Sequence, residues 1–191
     1  MKKLPILIAA TILIYALTVP VHASLIDRGN GLIYDDDLNL TWLQDANYSG
    51  LTMTWPTAMA WADNLTFQGF DDWRLPASDA CSGNSCSGSE MGHLFYNEGT
   101  TSDSSGLFQN VKPSIYWSAS EDENDPSQSW RFSFKYGTQG VSNKDTLKYA
   151  WAVRTGDVTP PVAPEPVSSV LFLAGGTVLA ARRYRRKMRK G

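Results

Sequence analysis

Ser129-Trp130-Arg131-Phe132-Ser133-Phe134-Lys135-Tyr136 is the stretch on which the fold turns. Its aromatic residues, Trp130, Phe132, Phe134 and Tyr136, alternate with Ser129, Arg131, Ser133 and Lys135. A period of two sends the two sets to opposite faces of a strand, with the aromatic set facing a core. Gly137 to Gly140 then reads as the turn that ends it. Beyond the turn, Tyr149, Trp151 and Val153 alternate with Lys148, Ala150 and Ala152, a second strand of the same kind. Upstream, Tyr116-Trp117-Ser118 reads as a buried strand.

Further toward the N-terminus the period changes twice. Leu32 and Tyr34, the acidic turn Asp35-Asp36-Asp37, and then Leu38, Leu40 and Trp42 against Asn39 and Thr41 predict an antiparallel hairpin. Thr54 is suited to an N-cap and Pro56 to a first helical turn, where a missing N–H does no harm. Ala58, Trp61, Ala62 and Leu65 then recur at helical spacing before Gly69. Trp73-Arg74-Leu75 is a short extended piece stopped by Pro76. Ser87 and Glu90 have capping-box spacing ahead of Met91, Leu94 and Phe95, predicting a second helix to about Asn97. Two short helices among antiparallel strands define an α+β domain.

Roughly 130 residues lie between the two ends of the chain, enough for one core and too few for two ordinary domains. All 19 acidic residues fall between Asp27 and Glu165, but only eight of the 17 basic ones do. So acidic a domain has no basic surface on which to release the counterions of nucleic acid; an extended polyanion would need a bridging cation.

Cys81 and Cys86 are the only cysteines, five positions apart in a Ser/Gly-rich stretch. A small loop-closing disulfide is the leading reading for an exported chain, with free thiols or a metal site as alternatives. His93 is the one histidine outside the first 23 residues, so zinc held by Cys and His has little support. It is also the one available imidazole for nucleophilic catalysis, and on a short amphipathic helix it reads as structural. No HExxH, P-loop, GxSxG or dinucleotide fingerprint occurs. The domain is therefore expected to be non-catalytic, without a required cofactor. Asp35, Asp37 and Asn39 imitate the start of an EF-hand loop, but Leu40 and Ala46 stand where its glycine and bidentate glutamate belong. The acidic loop Glu121, Asp122, Glu123 and Asp125 is the candidate cation site, for calcium if any, against the plain reading of an exposed loop. Core packing accounts for most of the tryptophans; Trp55 and Tyr48 are the aromatic residues expected to be exposed for stacking on a ligand.

Both ends carry targeting features. Lys2 and Lys3 precede an apolar run to about Val19, and Val21-His22-Ala23 offers small residues to signal peptidase, predicting a signal peptide over residues 1–23; an uncleaved anchor is the alternative. After a proline-rich linker at 158–163, Pro164-Glu165-Pro166 leads into an uncharged apolar run at 167–181 and a basic tail at 182–190. As a helix that run is about 22 Å long, a little short of a bilayer, and basic residues behind it should stay cytoplasmic.

Gly31-Leu-Ile-Tyr-Asp35, Thr41-Trp-Leu43, Asp72-Trp-Arg-Leu-Pro76, Glu90 to Leu94, Tyr116-Trp-Ser-Ala-Ser-Glu121 and Ala150-Trp-Ala-Val-Arg154 together resemble the Lcl C-terminal domain family, over nearly all of residues 27–157. The resemblance implies a C-type-lectin-like fold, chain ends close together, and surface recognition or adhesion. The tail resembles the PEP-CTERM sorting signal of Gram-negative bacteria. It implies processing by an exosortase near Pro164, Glu165 and Pro166, a cell-surface destination and an association with exopolysaccharide. A permanent, unprocessed anchor is the alternative for the tail. Together these imply a surface-sorted recognition module binding glycan or matrix polysaccharide, with a structural matrix protein or a polysaccharide hydrolase as alternatives.

Overall fold

A computed structural model describes residues 25–158. The predicted signal peptide, nearly all of the linker and the whole sorting signal lie outside the described residues. Nine elements follow one another: β1 (Leu25–Gly29), β2 (Leu32–Asp35), β3 (Leu40–Leu43), α1 (Trp55–Asp63), α2 (Glu90–Tyr96), β4 (Ile115–Glu121), β5 (Gln128–Ser133), β6 (Thr138–Asn143) and β7 (Val153–Thr155). The strands form two antiparallel sheets, one ordered β1-β2-β3-β7 and the other β4-β5-β6. The domain is α+β, as expected. Among the described residues no helix is long and apolar enough to cross a membrane.

The segment Lys148–Val153 joins the two sheets. Tyr149 exchanges backbone hydrogen bonds with β4, donating to Ile115 O at 3.1 Å and accepting from Trp117 N at 2.9 Å. Four residues on, Val153 pairs with Trp42 of β3 and, on its other side, with Arg74. Ala150, Trp151, Ala152 and Val153 are all buried, so the expected two-faced alternation is absent here. The expected strand is regular only from Val153, and the segment before it crosses between two layers and so has no solvent face. Trp151 supplies the centre: its ring packs on Trp42, Phe108, Tyr116 and Phe134, and its Nε1–H donates to Leu43 O at 2.7 Å. A smaller cluster, with Ala58 and Ala62 of α1, Leu75, Trp117 and Ala150, seats α1 on β4.

Several boundaries differ from expectation, each for a local reason. β5 stops at Ser133, which pairs with Thr138, so the turn is Phe134–Gly137 and Thr138–Gly140 already belong to β6. Gly137 closes that turn with a φ of +66°, and its N–H donates to Ser133 O at 2.8 Å. A side chain there would be strained by the backbone and would strike Phe95. Tyr136 is consequently 65% exposed, whereas Ser129 and Ser133 are buried. Thr41, assigned to a polar face, is also buried, its hydroxyl donating to Gly156 O at 2.6 Å.

Of the helix caps, Thr54 occupies the N-cap of α1 but its side chain caps no backbone N–H. The N-cap of α2 is Ser89, which accepts from Gly92 N at 3.0 Å. Glu90 does not close a capping box with Ser87. With Ser89 as the N-cap, Glu90 is the first residue of the helix and not the third, and its carboxylate turns to Arg74 and to the amide of Ala77.

After β7 the chain bends at Gly156 and brings Asp157 to Arg28, with Nε–Oδ1 at 2.9 Å and Nη2–Oδ2 at 2.6 Å. The two ends of the domain are thereby fastened to each other.

Candidate functional sites

The β2–β3 turn and the end of α2 converge on one polar pocket. Asp35 ends β2, and its Oδ1 accepts the amide of Leu38 at 3.1 Å, which fixes the carboxylate inward. The turn then places Asp37 at the surface, its side chain half exposed. From the other side, His93 O accepts from both Asn97 N and Glu98 N, at 2.9 and 3.2 Å, and this widened last turn brings Glu98 back to the imidazole. His93 Nε2 lies 3.4 Å from Glu98 Oε1 and 3.8 Å from both Asp35 Oδ2 and Asp37 Oδ2. Asp35 is 1% exposed and His93 7%. Neither Asp35 Oδ2 nor His93 Nε2 has a hydrogen-bond partner.

Electrostatically this pocket is costly. Burial raises the Asp35 carboxyl above its ordinary value, partly offset by the Leu38 amide and by His93. Burial also raises Glu98, helped by the charges of Asp35 and Asp37. Three carboxylates crowd one imidazole at distances too long for good hydrogen bonds. Among the described residues, Asp37, His93 and Glu98 form a group of three whose ligand atoms all lie within 4.8 Å of one another.

A second site has the opposite sign. Arg131 of β5 stands opposite Trp117 and Gly140, and its guanidinium lies over Gly140, where the missing side chain leaves room. Lys148, 9% exposed, holds its ammonium 4.5 Å from the Trp117 ring centre and 2.6 Å from Thr146 Oγ1. Burial lowers the pKa of both cations, and the charge of Arg131 lowers Lys148 further. Arg28, Arg74, Lys144 and Arg154 each pair with a carboxylate. Among the described residues Lys112, Arg131, Lys135 and Lys148 have none; of these four, Arg131 and Lys148 are the two whose pKa burial lowers, and Arg131 Nε is buried without a hydrogen-bond partner.

The predicted site residues are dispersed. Tyr48 is 46% exposed and sits edge-on to Phe67. Trp55 is not exposed as expected. It is half-buried against the α1–β4 cluster, donates from Nε1 to Ser118 O at 2.8 Å, and carries Lys144 over its ring at 4.5 Å. Cys81 and Cys86 are joined in a disulfide, which leaves neither thiolate to bind a metal. In the acidic loop, Glu121 pairs with Lys144 at 2.6 Å. Asp122 accepts from Asn124, and Asp125 from Ser127 and Gln128, which lowers the Asp125 pKa. Those carboxylates serve their own turn. The sorting tripeptide Pro164, Glu165 and Pro166 lies outside the described residues.

Sequence reasoning missed both convergent sites. Asp35 and Asp37 precede His93 by more than fifty positions, and Arg131 read simply as the polar face of a strand. The one local sign was Glu98, five residues after the lone histidine.

The described residues thus form a disulfide-closed α+β domain with its ends tied together. Residues 31–154 match the Lcl C-terminal domain family, and the chain belongs to that family. Membership points to an extracellular or cell-surface protein. No curated protein matches the chain.

Proposed function

We propose that the domain is a surface-sorted, non-catalytic recognition module of C-type-lectin-like character that binds an acidic sugar of an extracellular polysaccharide. The observation that carries this reading is the Arg131–Lys148 pair. In a domain with more than twice as many acids as bases, two neighbouring cations are partly desolvated and left without a carboxylate. An arginine fork beside a lysine is suited to a uronate carboxylate or a sulfate ester. The acidic remainder of the surface favours one anchored acidic group within a weakly charged polymer over a dense polyanion such as nucleic acid. His93 Nε2 faces carboxylates, and both cysteines are oxidised, which supports a binding role rather than nucleophilic catalysis. The reading carries with it export through signal peptidase and processing of the tail by an exosortase.

A glycan array probed with the purified protein, with and without calcium, tests this. Retention on uronate- or sulfate-bearing glycans should fall at least about tenfold in Arg131→Gln. Equal binding by that variant, or no binding to any polysaccharide, would count against the proposal. Mass spectrometry of the C-terminus tests the sorting route: a product ending near Glu165 is expected, and a full-length membrane form would overturn it.

A further inference from the structure

The geometry points to a site for a first-row divalent transition cation, held by Asp37, His93 and Glu98, with Asp35 as the buried counter-charge behind them. This inference stands apart from the glycan reading, since it uses other residues on another part of the fold.

Four observations meet here. His93 Nε2 and Asp35 Oδ2 are buried without hydrogen-bond partners, although buried polar atoms are ordinarily satisfied. The ring nitrogen and the carboxylate oxygens stand 3.4–3.8 Å apart, beyond good hydrogen bonds. Ligand atoms about 2.0–2.2 Å from a tetrahedral zinc ion lie roughly 3.3–3.6 Å from one another; the nitrogen-to-oxygen distances of 3.4 and 3.8 Å approach that range, and all three ligand atoms lie within 4.8 Å of one another. Finally, three carboxylates beside one imidazole place excess negative charge in a half-closed pocket, which a divalent cation would neutralise.

The donor set selects the ion. Calcium and magnesium take oxygen ligands, whereas an imidazole nitrogen with carboxylates suits zinc, manganese or iron(II). Three protein ligands leave at least one coordination position free. The Asp37 side chain is half-exposed, so the group is open to solvent on its side. His93 binds through neutral Nε2, and Glu98 and Asp37 bind as carboxylates.

The experiment is metal loading of the full-length protein, purified in detergent and stripped with chelator. Zinc, cobalt(II) and calcium are titrated separately, with bound metal counted by elemental analysis. The expected result is one zinc per chain, one cobalt(II) per chain in separately loaded protein with visible d–d bands that added zinc abolishes, and no calcium uptake at the same concentrations. Asp37→Asn, at a half-exposed position outside the core, should weaken zinc binding by at least about tenfold with an unchanged circular dichroism spectrum. His93→Gln should abolish stoichiometric binding. Zinc uptake well below one per chain overturns the inference. So does undiminished zinc affinity in either variant, or calcium binding in preference to zinc.

Discussion

Two polar side chains stand three residues apart on α2, and their surroundings are opposite in kind. Both oxygens of Glu90 are engaged: Oε1 with Arg74 Nη2 at 2.7 Å, Oε2 with Arg74 Nη1 at 2.8 Å and with Ala77 N at 2.7 Å. Arg74 in turn donates to Leu75 O at 3.1 Å and is fixed through its backbone to Val153. His93 has three carboxylates near its Nε2 and a hydrogen bond to none of them. The Glu90 pair is structure, since geometry satisfies it completely and it ties α2 to the strand that joins the sheets. The His93 group has proximity without satisfaction, the state of groups that wait for something else.

The largest effect should come from the residue between them. A Cβ at Gly92 would meet the backbone oxygen of Cys86, and Ser89 Oγ at 2.7 Å. The backbone carbonyl of the half-cystine that anchors the disulfide loop has little room to retreat, so α2 must lift. Gly92→Ala is expected to cost about 3 kcal/mol in chemical denaturation and to disturb both charged groups together. A loss below about 1 kcal/mol would mean that α2 is not seated on the loop as described.

Next in size is Glu90→Ala, which strands a partly buried guanidinium and an amide. With side-chain exposures of 34% for Arg74 and 17% for Glu90, the cost should be about 2 kcal/mol after allowance for solvent. The same experiment on Asp35 should give the opposite sign in metal-free protein. An asparagine at this position would keep the acceptor for Leu38 N and remove a charge that burial disfavours, so Asp35→Asn should stabilise by about 1 kcal/mol. The folded carboxyl titrates above its unfolded value. Its favourable contribution is therefore full below the unfolded pKa and is lost as pH rises through the raised folded one. The gain from the substitution should accordingly appear at neutral pH and shrink on acidification. Destabilisation at neutral pH would place Asp35 with Glu90 among the satisfied pairs and dissolve the contrast.

How much of this was legible depended on whether the signal was local. The strand at β5 and the β2–β3 hairpin follow from alternation and turn residues, and the two helices from period and proline placement; all four stand. What failed were inferences that assumed one wet face per strand. Thr41, Ser129, Ser133, Ala150 and Ala152 are buried because neighbouring segments cover both faces, whereas Trp151 and Val153 are buried as expected. The α2 cap failed because the helix starts at Glu90 behind Ser89, two residues later than the Ser87–Glu90 spacing implies, which leaves Glu90 to Arg74, sixteen residues upstream. The polar pocket was illegible for the same reason at longer range: the hairpin turn and α2 meet only in the folded chain, and each half alone reads as a solvated acidic turn or a structural histidine.

The smallest expected effect separates the two pH behaviours most cleanly. Asp72 binds Arg154 through two contacts, at 2.7 and 3.0 Å, while the Arg154 guanidinium lies 4.2 Å from the Phe70 ring centre. The hydrogen bond from Arg154 holds the Asp72 carboxyl below its ordinary value. Its contribution is thus present above the unfolded pKa and lost as pH falls through the folded one, opposite in slope to Asp35. Because the Asp72 side chain is 52% exposed, screening should keep the pair under about 1 kcal/mol. Asp72→Asn should therefore lower stability slightly at pH 7, and the difference from wild type should vanish at pH values below the depressed pKa. A deficit that persists in acid would show that the residue acts through packing rather than charge. Asp72 would then offer no reference of ordinary sign against which the reversed slope of Asp35 could be read.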